Sequence, residues 1–192
     1  PLPEGRWGMR DGTSIAAPQV AGALAVLKAA RPELTPPQLY SLVTNTATAM
    51  ELPVMVAGAG RLNVEAAMRA TLAALPRSIS FGAGTGTVDL VRELTLTNLG
   101  ESEEVVELSA EGVAISPPSV TIAAGGTVTV RVRLQGTNLK GGEYSGFVRA
   151  VGQGSGTELR IAYWYAVPTG VAAAIKVMGP VEFNAGSTYR FY

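Results

Sequence analysis

The sequence predicts a fragment of a multi-domain protein. Residues 1–75 form a helical part, residues 76–168 an all-β sandwich, and residues 169–192 a linker with the truncated start of a further β-domain. Two observations carry this. Near Leu75-Pro76 the spacing of apolar residues changes from helical to alternating. Beyond that point, clusters of Gly, Pro, Asn and Ser recur at short intervals, as they do between antiparallel strands. A chain of 192 residues has room for one large domain or two small ones.

Residues 14–30 form the first predicted helix. Ile15, Ala16, Ala17, Val20, Ala21, Leu24, Val26 and Leu27 cover nearly every face, the pattern of a fully buried helix. Arg31-Pro32 stops it, because the residue before proline is pushed out of the helical region. A second helix opens at Thr35-Pro36-Pro37-Gln38. Thr35 is an N-cap candidate, Pro36 suits the first helical position, and Gln38 stands where a capping box needs Glu or Gln. Leu39, Leu42 and Val43 give that helix one apolar face. Gly58, Gly60 and Asn63 mark a turn and a cap before a third, Ala-rich helix over residues 64–75.

From Arg77 onward the period becomes two. Leu94 and Leu96 alternate with Thr95 and Thr97, and Val128, Val130, Val132 and Leu134 with Thr129, Arg131 and Arg133. Leu159, Ile161, Tyr163 and Tyr165 repeat the pattern, which turns Trp164 to the opposite face. There it suits a peptide, a glycan or a neighbouring domain equally well. Turns fall at Asn98-Leu99-Gly100, Ser116-Pro117-Pro118, Gly125-Gly126, Lys140-Gly141-Gly142 and residues 152–156. About seven short strands so punctuated suggest a small sandwich of immunoglobulin or fibronectin-III type. Pro168-Thr169-Gly170 reads as a linker.

Composition narrows the function classes. Fifteen Lys and Arg balance fifteen Asp and Glu with no basic run, so no nucleic acid is expected as a partner. The longest apolar stretch, residues 15–30, is cut by Pro18, Gln19 and Lys28 and falls short of the roughly 20 residues that span a bilayer. No membrane span is expected. With no cysteine there is neither a disulfide framework nor a thiolate metal site. Glu101, Glu103 and Glu104 read as a solvated loop, and residues 82–86 (GAGTG) lack the spacing and strand–helix context of a phosphate loop. No cofactor is identifiable, and any structural calcium is expected upstream of Pro1.

The chemistry lies in residues 10–22, RDGTSIAAPQVAG. Ser14 follows a tight Gly12-Thr13 entry and opens the apolar helix. A free hydroxyl is a poor nucleophile that needs a base and stabilisation of the oxyanion it creates. A helix N-terminus supplies part of the latter: unpaired N–H groups and a positive dipole end of about half a charge. Pro18 adds a constraint. It lacks an N–H and crowds the carbonyl four residues earlier, that of Ser14, which in a helix interior costs about 3 kcal/mol. A bare Gly-Thr-Ser would be only an N-cap contributing on the order of 1 kcal/mol. A local rule broken beside a candidate nucleophile is what a functional site looks like.

Gly12, Thr13, Ser14, Ala16, Pro18, Val20, Ala21 and Gly22 resemble the nucleophile segment of the subtilisin-like serine proteases, Gly-Thr-Ser-Met-Ala-x-Pro-His-Val-Ala-Gly. The resemblance continues through Arg31-Pro32-Glu33-Leu34-Thr35 to Thr46-Ala47, and through residues 59–67 (AGRLNVEAA), which resemble the element that ends the catalytic domain. It covers about residues 8–75. Ile15 replaces the family's Met, and Gln19 replaces a His that is not the catalytic one.

The resemblance implies that the helical part is the C-terminal piece of a subtilisin-like α/β domain and that the sandwich is similar to its fibronectin-III-like accessory domains. It implies a secreted Ser–His–Asp endopeptidase acting on peptide or protein substrates. Ser14 would be the nucleophile and a backbone oxyanion donor, with Thr13 as further oxyanion support. The chain has no histidine. In the family's order Asp, His, Ser, both partners and the rest of the catalytic domain are expected upstream of Pro1, so this fragment alone should hydrolyse nothing. Asp11 lies three residues before Ser14, and Lys28 about 20 Å along the helix, so neither suits a substitute base. The alternative is a pseudoprotease or adhesion-type protein that binds through its β-domains.

Overall fold

The computed structural model describes residues 12–169. Four helices come first: α1 (Thr13–Ala30), α2 (Pro36–Asn45), α3 (Val54–Ala57) and α4 (Val64–Arg69). Nine strands follow within the described residues: β1 (Leu72–Leu75), β2 (Ser78–Ala83), β3 (Val88–Asn98), β4 (Glu104–Ala110), β5 (Ala114–Ser116), β6 (Ser119–Ile122), β7 (Thr127–Gly136), β8 (Gly142–Gly152) and β9 (Glu158–Val167). They form two sheets, in the orders β1-β3-β7-β5 and β2-β9-β8-β4-β6.

This corrects the predicted fold class. The described chain is a two-sheet β-sandwich carrying a short helical cap, not a helical α/β piece followed by a separate sandwich. The third predicted helix shows why. It ends at Arg69, and Leu72–Leu75 is a strand paired antiparallel with β3, Leu72 opposite Asn98 and Leu75 opposite Thr95. An Ala-rich run favours helix by propensity. Here the β3 edge offers its backbone groups partners, and Pro76 bars helical continuation. After Pro76-Arg77 the chain crosses to the other sheet, where β2 runs parallel to β9, Ser78 opposite Ala162 and Ala83 opposite Ala166.

Alternation fills the space between the sheets. Leu94, Leu96, Val130, Val132, Leu134, Leu159, Ile161, Tyr163 and Tyr165 are all buried in one core. Each large side chain so buried contributes about 1.5–3 kcal/mol. The two tyrosines keep a polar tip, and both tips are satisfied: Tyr163 donates to the Glu111 carbonyl and Tyr165 to that of Thr85 at 2.7 Å. This close approach also accounts for Gly84 in the glycine run. A Cβ there would lie 2.7 Å from the Tyr165 hydroxyl, and one at Gly146 would lie 2.8 Å from that of Tyr163.

Glu104 corrects a second expectation. Glu101 and Glu103 are exposed, but Glu104 is buried, its two carboxylate oxygens accepting from the Gly154 N–H at 2.7 Å and the Ser155 N–H at 2.9 Å. Burial alone would raise its pKa. The hydrogen bonds from Gly154 and Ser155 outweigh that and hold it below the ordinary glutamate value.

The cap is joined to the sandwich by buried polar groups. Ala74 N–H of β1 donates to Ser41 Oγ at 2.8 Å, and Ser41 Oγ donates to Asn45 Oδ1 at 3.0 Å. Asn45 Nδ2 donates to the carbonyls of Arg77 at 2.9 Å and Arg160 at 3.1 Å. Helix α2 thus closes the free edge of β1, which would otherwise present unpaired backbone to solvent. Apolar contacts reinforce the joint: Leu27, Leu34, Leu39, Leu42, Ala67 and Ala73 form a second core.

Candidate functional site

Ser14 and Thr13 stand exposed in the first turn of α1. Gly12 enters the helix at φ 127°, a backbone region that L side chains rarely adopt, so this position requires glycine. Its carbonyl accepts from Ile15 N–H at 3.0 Å and Ala16 N–H at 3.2 Å, so the helical ladder begins past Ser14. The N–H groups of Thr13 and Ser14 precede that ladder and point out of the helix start. No side chain caps them at Gly12. The helix runs on through Pro18, and a proline there has no N–H to offer the Ser14 carbonyl. The result is a hydroxyl at a positive helix end, beside amide donors that no side chain among the described residues caps.

The rest of α1 departs from the expectation of a fully buried helix. Only Ala23 and Leu27 are buried, and Ile15 and Val26 are exposed by 42% and 54%. Its neighbours are α2 and α4, which cover one face, with Val20 and Leu24 packed against the Leu27 core. By length and composition alone α1 is apolar enough to cross a membrane, with mean hydropathy 1.2. Its far end is anchored in the cap. Lys28 Nζ donates to the carbonyls of Pro32 at 2.6 Å and Leu34 at 2.9 Å, and Arg31 Nη1 to that of Ala70 at 2.7 Å.

Lys28 is therefore committed to closing the helix and is not turned toward Ser14. Asp11 lies outside the described residues. The second helix opens as its sequence predicts, Gln38 Oε1 accepting from the Thr35 N–H at 2.8 Å and the Thr35 hydroxyl at 2.9 Å. Asn63 caps α4 by accepting from Ala66 N–H at 2.9 Å. These caps shape the ends of α2 and α4, against which α1 packs through Val20, Leu24 and Leu27. Among the described residues no group of three or more His, Cys, Asp or Glu could share a metal ion. Trp164 lies half-buried on the outer face of its sheet, opposite Ser145 and Ser80.

One cluster escaped the sequence reading: Arg149, Glu158 and Arg160, on the outer face of the β8–β9 hairpin. Its signal was parity. Each arginine is flanked by two buried apolar residues, Val148 and Ala150 or Leu159 and Ile161, so both must face outward together.

Residues 2–86 match the family model described as the subtilase family, Peptidase S8. The chain is 30% identical over 158 residues to the minor extracellular protease Vpr of Bacillus subtilis (strain 168). That match covers 74% of this chain and 20% of the relative, so the chain spans about a fifth of that protein's length. Together these matches support a relationship to the protease family.

Among solved structures, the chain is similar to the PapD-like domain 7 of human CEP192. Identity there is 16% and the TM-score 0.44, covering 50% of this chain and 84% of that one. A protein from Porphyromonas gingivalis W83 matches with a TM-score of 0.45 and 13% identity, covering 51% and 48%.

Proposed function

We propose that this chain carries the nucleophile segment of a secreted subtilisin-like serine endopeptidase acting on peptide or protein substrates. Ser14 Oγ attacks the scissile carbonyl, the Ser14 N–H donates to the resulting oxyanion, and the Thr13 hydroxyl adds support. The observation that carries this reading is the setting of Ser14. It stands exposed in the first turn of α1, behind a glycine of left-handed φ, within the residues that match the subtilase model. The name of the Bacillus relative supports an extracellular location.

A serine at a helix end still needs a base to take its proton, and this chain has no histidine. The His and Asp of the triad therefore belong to residues outside this chain, which by itself hydrolyses nothing. A fluorophosphonate probe tests the assignment on the complete protein. Labelling is expected for the parent and lost in Ser14→Ala. Equal labelling of both would overturn the role of Ser14.

A further inference from the structure

A cavity of about 800 Å³ opens between the helical cap and the β8–β9 hairpin, and neither Ser14 nor Thr13 lines it. Thr46 lines it from the end of α2, Thr48 from the stretch that follows, Arg69 from α4, and Arg149, Glu158 and Arg160 from the hairpin. The cations outnumber the carboxylate on these walls.

The hairpin breaks a pairing rule. Arg149 and Arg160 are direct cross-strand partners, and like charges directly opposite one another destabilise a ladder. Glu158 forms an ion pair with only one of them, holding Arg149 Nη2 at 2.6 Å. The Arg160 guanidinium stacks on Phe147, 3.9 Å from the ring centroid, and donates to the Ala59 carbonyl at 3.3 Å. Among the described residues no carboxylate forms an ion pair with it. Burial pushes its pKa down, with Glu158 opposing and Arg149 adding a smaller push in the same direction. Arg69 pairs with Glu65 at 2.7 Å, but both side chains are mostly exposed and such a pair is weak and easily exchanged.

We propose that this cavity binds a carboxylate-bearing peptide segment, an acidic side chain entering between Arg149 and Arg160. The planar guanidinium fork matches a carboxylate in two parallel hydrogen bonds, and a carboxylate there removes the repulsion between the two arginines. The volume suits a ligand of several residues rather than a lone inorganic anion. Residues 47–49, past the turn at Thr46, supply backbone along one wall, tied to Arg61 through the Thr48 bridge.

Calorimetric titration of the chain with a tetra-glutamate peptide tests this. Saturable one-to-one binding is expected, weakened by about tenfold in Arg160→Gln and in Arg149→Gln, the scale of one charge-assisted hydrogen bond. Arg131→Gln, an exposed residue on β7 of the other sheet, should bind as the parent does. If Arg160→Gln fails to fold, Arg149→Gln carries the comparison. Absence of binding, equal affinity in the hairpin variants, or an equal loss in Arg131→Gln overturns the proposal. So does inorganic phosphate binding as tightly as the peptide, which would mark a site for adventitious anions.

Discussion

Replacing Asn45 with alanine removes the polar joint between cap and sandwich. The side chain is 1% exposed and makes three hydrogen bonds: to the carbonyls of Arg77 and Arg160 at 2.9 and 3.1 Å, and from Ser41 at 3.0 Å. At about 1 kcal/mol net per bond the loss is about 3 kcal/mol, and buried carbonyls left without donors raise it toward about 5 kcal/mol. Against a typical stability of about 5–15 kcal/mol, that is a large fraction. Urea denaturation followed by circular dichroism should show a clearly lower midpoint. Asn45→Asp should do no better, since it keeps the size but aims a carboxylate at two carbonyls. Ser41→Ala should couple to Asn45→Ala in a double-mutant cycle by about 0.5 kcal/mol or more. An Asn45→Ala variant within about 0.5 kcal/mol of the parent would refute the argument.

Two further outcomes follow from the same structure. Because Glu104 is held below its ordinary pKa in the fold, its ionised form stabilises the protein above the ordinary glutamate range, and that stabilisation is lost as pH falls through the lowered value. Glu104→Gln should therefore be less stable than the parent by about 1–2 kcal/mol at neutral pH, with the gap closing below about pH 4; an equal gap at both pH values would refute this. Starting the sandwich at residue 76 instead of 71 removes β1 and the fully buried Leu72. Thermal melts of 76–169 and 71–169 should differ by at least the roughly 2–5 kcal/mol of a large buried side chain, and coincident melts would contradict the placement of β1.

The sandwich strands were legible because local pattern and tertiary role agree. A strand with one face in the core must alternate, and Leu94, Val130 and Leu159 each begin such a run. The helix ends were legible for a similar reason, since Thr35, Gln38 and Asn63 act within one turn of themselves. Leu72–Leu75 was misread because nothing inside four apolar residues says whether β3 waits beside them. Glu104 was misread because its partners lie fifty residues away in a turn. Ser14 was legible as a residue and not as a reaction. Its motif lies in one contiguous stretch, residues 12–22, whereas the histidine that the proposed reaction calls for is not among this chain's residue types.

The crossing from β1 to β2 gives the sandwich a direction of strength. Strand β2 runs parallel to β9, so a pull backward on the chain before Ser78 and forward on the chain after Val167 drags the two strands past each other along their length. Their ladder bonds are then loaded together in shear rather than opened one by one like a zipper. Tension applied directly between Arg77 and Pro168 is borne at that pair of strands. A pull from the N-terminal side reaches Ser78 only through the helical cap and β1, so the Ser41 and Asn45 joint lies in series with that pair of strands.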